Sequence, residues 1–80
     1  MDYLIGQITL FPYSFIPYGW LPCNGTLLPV NQYQALFSLI GNKFGGDGVT
    51  NFALPNMQGA EPIPGMAYAI CNQGIYPQRP

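Results

Sequence analysis

Charge is what this chain has least of. Only 6% of its 80 residues are charged, against about 25% in ordinary soluble domains. The carriers are Asp2, Lys43, Asp47, Glu61 and Arg79. Two cations cannot neutralise a phosphate backbone, so nucleic acid is excluded as a partner. Histidine is absent. That removes the usual general base near neutral pH. With only two cysteines and three carboxylates, it also leaves a poor ligand set for a metal. A reactive thiolate at Cys23 or Cys71 would need a neighbouring cation, and Lys43 and Arg79 are the only candidates. Neither an enzyme nor a cofactor is expected. Long apolar runs are missing too. None approaches the ~20 residues of a spanning helix, so membrane insertion is not expected. Met1-Asp2-Tyr3 lacks the basic start of a classical signal peptide.

What is present is apolar and kinked. Apolar residues make up 49% of the chain and aromatics 15%, and 10 glycines and 9 prolines interrupt them. A chain this short buries only about 60–65% of its unfolded surface, and small domains usually need a staple, a metal or a partner subunit. With the metal unpromising, a disulfide, self-association or both remain. Ile8 and Leu10 alternate with Gln7 and Thr9, which predicts a strand within residues 4–11, ended by Pro12. Trp20 to Cys23 reads as a short extended piece. Asn24-Gly25 is a preferred pair for a type I′ hairpin turn, with Thr26 to Leu28 returning. Asn31 is a suitable helix N-cap. Tyr33, Leu36, Phe37 and Ile40 then fall on one helical face, and Gly41 follows as a stop. The pattern predicts one helix at about residues 32–40. Residues 41–65 read as loop-dominated, and Met66 to Cys71 as a last strand. The expected core is Ile5, Ile8, Leu10, Trp20, Leu28, Leu36, Phe37, Ile40, Phe52, Leu54 and Ile70.

The densest feature is Gly45-Gly46-Asp47-Gly48, followed by the anchors Phe52 and Leu54 and closed by Pro55. Glycine loses more freedom on folding than any other residue, so such a cluster needs positive φ or close backbone approach. A phosphate-binding loop needs a lysine and a hydroxyl directly after its glycines, opening a helix, whereas Lys43 precedes these and the residues that follow read as extended. Calcium needs six to eight oxygens, and Asp47 stands alone. A turn whose carboxylate bonds nearby backbone N–H groups fits better.

Cys23 and Cys71 each fall in an expected strand. Joined, they would close a long loop worth roughly 2–4 kcal/mol; apart, they would act as small buried hydrophobes. Both readings stand at this level. Trp20 and the tyrosines could form a stacking platform for sugars, with Tyr3, Tyr13 and Tyr76 the candidates for exposed ligand or subunit contact. The competing reading places Trp20 and Tyr33 in the core.

Ile5-Gly6, Pro17 to Trp20, Cys23-Asn24-Gly25, Leu28-Pro29, Ala35-Leu36-Phe37, Ile40-Gly41 and Phe44 to Asn56 occur in an order and spacing that resemble the phage tail collar domain family, which includes the bacterial microcystin-dependent proteins. The structural signature carried by that resemblance is Trp20, Asn24, Gly25, Gly45, Gly46, Asp47, Gly48, Phe52, Leu54 and Pro55. Gln73 to Pro77 resembles the short C-terminal strand of compact members, so the chain is expected to be a minimal collar unit. Tail-fibre members are commonly trimers, and longer ones carry a distal, histidine-rich receptor region that has no counterpart here.

The expectation is therefore a single domain over residues 1–80, of α+β class, loop-rich, with short antiparallel strands around one helix. It would be a non-enzymatic structural module that associates with itself as a trimer or filament, in a virion tail or an extracellular assembly. The alternative is a tip module that binds a host receptor or glycan.

Overall fold

Five short strands and one α-helix order residues 3–78, the part of the chain that the computed structural model describes. The strands are β1 (Ile8–Phe11), β2 (Trp20–Pro22), β3 (Leu27–Pro29), β4 (Asn51–Ala53) and β5 (Ala67–Cys71), and the helix α1 is Gln34–Ile40. They form two antiparallel sheets, β1-β5-β2 and β3-β4. The class is α+β.

β5 is the centre of the larger sheet. It pairs with β1 through Ile8↔Ile70 and Phe11↔Ala67, and with β2 through Trp20↔Cys71 and Pro22↔Ala69. Successive side chains of a strand point to opposite faces, and β5 uses both. Ile70 and Tyr68 pack into a cluster with Cys23, Leu28, Leu36, Phe52 and Leu54. Ala69 and Cys71 pack on the other face with Trp20, Tyr3, Phe11 and Ile16. The first cluster draws on both sheets and on α1. Phe52, Leu36, Leu54 and Ile70 are its fully buried large side chains. Burying each of them contributes roughly 1.5–3 kcal/mol.

The entry to β1 is shaped by one glycine. Cys71 faces two residues of the opposing chain: the Gly6 N–H donates to the Cys71 carbonyl, and the Cys71 N–H donates to the Gln7 carbonyl. That is a β-bulge with a positive-φ glycine in its first position, and Gly6 has φ +90°. The same glycine sits third in a turn closed by the Gln7 N–H on the Leu4 carbonyl at 3.0 Å. The regular strand therefore starts at Ile8, later than the alternation suggests.

Four further expectations are corrected. Asn24-Gly25 does not make a type I′ hairpin. That turn needs positive φ at both central residues, and among the described residues no non-glycine residue, Asn24 included, has positive φ. β2 and β3 instead belong to different sheets, and the Asn24 Oδ1 accepts the Thr26 N–H at 3.1 Å and the Thr26 hydroxyl. Asn31 is not the helix cap. It lies in a 3-10 turn, Val30–Gln32, and α1 starts after Tyr33 with no side-chain cap. The loop-dominated stretch contains a strand, β4, anchored by Phe52. Ile8 is not core but 42% exposed, because it stands on the outer strand of its sheet. The end of α1 is as expected: the Gly41 N–H closes on the Phe37 carbonyl at 2.7 Å with φ +60°.

Candidate functional site

The glycine segment folds onto the outer edge of β4. Leu28 and Phe52 turn their backbone groups toward each other, as the flanking bonds Leu54 N–H to Thr26 O and Val30 N–H to Thr50 O require. Asn51 and Ala53 therefore present theirs outward. The loop takes both: the Ala53 N–H donates to the Gly45 carbonyl at 3.0 Å, and the Gly48 N–H donates to the Asn51 carbonyl at 3.0 Å. Only glycine fits this approach. A Cβ on Gly46 would stand 2.6 Å from the Phe52 Cα and 2.9 Å from the Asn51 carbonyl oxygen, at φ +88°. One on Gly48 would meet the Asn42 amide at 2.8 Å.

Asp47 ties the loop from within. Its Oδ1 accepts the N–H groups of Val49, Thr50 and Asn51 at 2.8, 2.8 and 3.1 Å. Its Oδ2 accepts the Thr50 hydroxyl at 2.6 Å. The Asn51 Oδ1 returns the pattern by accepting the Asp47 N–H at 3.0 Å. These bonds hold the Asp47 carboxyl well below the usual carboxylate range, the Thr50 hydroxyl bond contributing most. Every hydrogen bond the structure gives this carboxylate stays within the loop, while Asp47 itself is exposed, and the arrangement is a clasp. The role of Asn51 was not read from the sequence; its spacing four residues after Asp47 was the available signal.

The other signature residues serve packing. Phe52, Leu54 and Pro55 are buried under this clasp. Trp20 is buried on the far face of the larger sheet, edge-on to Tyr3 and to Phe11 with ring centroids 5.0 Å away in each case. Asn24 and Gly25 hold the crossing from one sheet to the other, where Gly25 packs against Asn56.

Cys23 and Cys71 are buried free thiols. A bridge within the chain does not fit the sheet. Cys71 stands opposite Trp20, while the Cys23 N–H donates to the Tyr68 carbonyl, three positions further along. Three residues at about 3.3 Å each separate them by roughly 10 Å, beyond the ~7 Å limit of a disulfide. The two sulfurs also sit in the separate clusters on either face. Burial pushes the Cys23 thiol up to about 11 and raises Cys71 as well. Burial therefore disfavours the thiolate at both positions.

Of the three candidate surface tyrosines, Tyr76 is exposed, its hydroxyl 2.7 Å from the Ser38 Oγ. Tyr3 and Tyr13 are half-buried; Tyr13 is held in a stack between Phe11 and Phe15, with centroids 5.6 and 4.2 Å away. The two most open rings are Tyr18 at 91% and Phe15 at 65%; the sequence reading places Tyr18 among the surface tyrosines and does not single out Phe15. Both lie in the loop after β1, which carries no pattern that separates core from surface. A groove of about 230 Å³ opens beside that loop, among Ser14, Cys23, Asn24, Gln58, Glu61 and Tyr68. Among the described residues, no three metal-ligating side chains come together, and no helix is long and apolar enough to cross a membrane.

A family model described as the phage tail collar domain matches residues 6–62. The chain belongs to that family. The match runs from the β1 bulge through α1 and the glycine clasp. The collar domain is a structural domain of phage tails, not known as an enzyme family, and it implies a place in the virion tail. No curated protein and no solved structure matches the chain.

Proposed function

We propose that residues 1–80 act as one domain that associates with itself, as a non-enzymatic building piece of a phage tail or a related extracellular fibre. The observation that carries this reading is the combination of very low charge with large apolar side chains left in solvent. Phe15, Tyr18, Leu27, Val49 and Ile63 are all more than half exposed, and no charged residue occurs between Asp2 and Lys43 to keep copies apart. Net charge and interspersed ions are what normally oppose association. The closed Asp47 clasp supports the structural role, because the most conspicuous polar cluster is used up within the chain. Light scattering and sedimentation over a dilution series test the proposal. The expected result is an oligomer at micromolar concentration; a folded monomer there would sink it.

A second reading is recognition of a receptor or glycan. The groove beside Tyr68 favours it, because Ser14, Asn24, Gln58 and Glu61 offer hydroxyl-bonding groups next to an aromatic ring. With no cation in its lining, it suits neutral sugars. A glycan array separates the two readings: specific binding that is lost in Tyr68→Ala, with assembly intact, would place recognition first.

A further inference from the structure

The two sheets have four outer edges, and they are not equivalent. β4 is covered by the glycine clasp, as above. β3 turns Leu27 and Pro29 outward, and Pro29 has no N–H to give. β2 turns Trp20 and Pro22 outward. The Trp20 N–H is already spent on the Pro17 carbonyl at 3.1 Å, and Pro22 again has none. β1 differs. The bond from the Cys71 N–H to the Gln7 carbonyl sets the phase of its ladder with β5. Thr9 and Phe11 therefore point their backbone groups at β5, and Ile8 and Leu10 point theirs away. Among the described residues, neither outward N–H meets a backbone acceptor outside that ladder. Among the described residues, β1 is thus the edge with two unpaired outward donors and two unpaired outward acceptors, at Ile8 and Leu10, and the strand carries none of the lysines, prolines or inward charges that normally guard such an edge.

We propose that this edge is an interface with the same edge of a second copy, two β1 strands running antiparallel about a two-fold axis at Thr9. The proposal rests on the self-association reading above and names its surface. The register follows from counting donors. Centred on Thr9, Ile8 of one copy faces Leu10 of the other, and four N–H···O=C bonds form with none wasted. Centred on Leu10, Ile8 would face Pro12, which cannot donate. Centred on Ile8, Leu10 would face Gly6, whose N–H already serves Cys71. The uncharged stretch from Tyr3 to Asn42 lets two copies meet without like-charge repulsion, and the join covers Ile8, left 42% exposed in one chain. The product is one six-stranded sheet. Because the blocked β2 edge cannot repeat the contact, edge pairing joins two copies only and does not by itself build the trimer or filament expected from the family resemblance. An isologous contact of this kind is self-limiting.

Residue 9 tests the register. Directly opposite residues between hydrogen-bonded pairs have Cα atoms about 4.5 Å apart, within disulfide reach. Under mild oxidation, Thr9→Cys should link residue 9 to residue 9, identified by mass spectrometry of the digested protein. Val49→Cys, exposed on the clasp, should not form the corresponding link. Thr9→Lys and Thr9→Glu should each stay folded by circular dichroism, yet weaken association by roughly tenfold or more. An equimolar mixture of the two should recover it. An oligomer in the dilution series with no residue 9 crosslink, or one indifferent to both charge variants, would overturn the edge interface and leave self-association standing. A monomer at all concentrations would remove both.

Discussion

The edges of β4 and β1 are the same kind of surface treated in opposite ways. Each presents outward backbone groups on a short strand. At β4 the chain folds back and satisfies them with Gly45 and Gly48, and Asp47 locks the cover in place. At β1 the chain leaves by Pro12 and nothing described returns to the edge. The difference shows that an edge is closed from within only where backbone can come close enough, and here that takes glycine. Gly46 passes so near Phe52 that no side chain fits between them. Among the described residues, no glycine-rich segment returns to Ile8-Thr9-Leu10-Phe11, and the outer edge of β1 stays uncovered.

The strongest way to break this contrast is Gly46→Ala. It combines positive-φ strain with overlap against backbone that cannot rotate away, and it should cost roughly 3 kcal/mol or more in chemical denaturation. Loss of less than about 1 kcal/mol would mean that the clasp is not rigid. Asp47→Ala should come next. It removes the acceptor of three N–H groups and one hydroxyl, so melting temperature should fall and the Val49, Thr50 and Asn51 amides should exchange faster with solvent. Unchanged protection there would show that the glycines hold the cover without the carboxylate. Gly59→Ala is the matched control. It has φ +87° with nothing within 4 Å of the added carbon, so only the left-handed backbone term of about 1–2 kcal/mol is expected.

Acid should reach the clasp in a defined direction. The folded Asp47 carboxyl titrates below its unfolded value of about 3.9. Its contribution is complete above the unfolded value and is lost as pH falls through the folded one. Stability should therefore decline below about pH 4 in the native protein and less steeply in Asp47→Asn; equal slopes would remove Asp47 from the account. The smallest effect is expected at the cysteines. Reducing agent should leave the melting temperature of the native protein unchanged, and mass spectrometry of non-reduced material should find two free thiols. A shift on reduction would mean that the β2-β5 register differs from the one described.

Much of this architecture was legible beforehand, and the exceptions share a cause. The helix and its glycine stop were visible because a 3.6-residue period and a positive-φ glycine are local properties. Its start was not, because Asn31 had to compete with a 3-10 turn that links β3 to α1. β4 was legible only as an extended piece after the glycines, within a loop-dominated stretch, since three residues are too few to show alternation. Asn24-Gly25 misled because the pair that makes a hairpin in isolation also makes a crossing when its flanking strands find better partners. The tyrosines divided into buried and exposed for the same reason: Tyr13 was taken into a stack with Phe11 and Phe15, while Tyr18 found none.

Composition and order alone determined the scarcity of charge, the absence of histidine, and the glycine–aspartate signature that places the chain in its family. These follow from which atoms are present and how they are spaced. The local turn at Asp47 belongs with these, because its carboxylate bonds only residues two to four positions on. Tertiary structure decided two things that no local pattern encodes. It put Cys23 and Cys71 three registers apart on opposite faces of one sheet, where they cannot join. It set the phase of β1 against β5, which alone determines which donors face outward. Each depends on pairing between segments distant in sequence, and the energy of such pairing is fixed only when the whole set of strands has settled into one register.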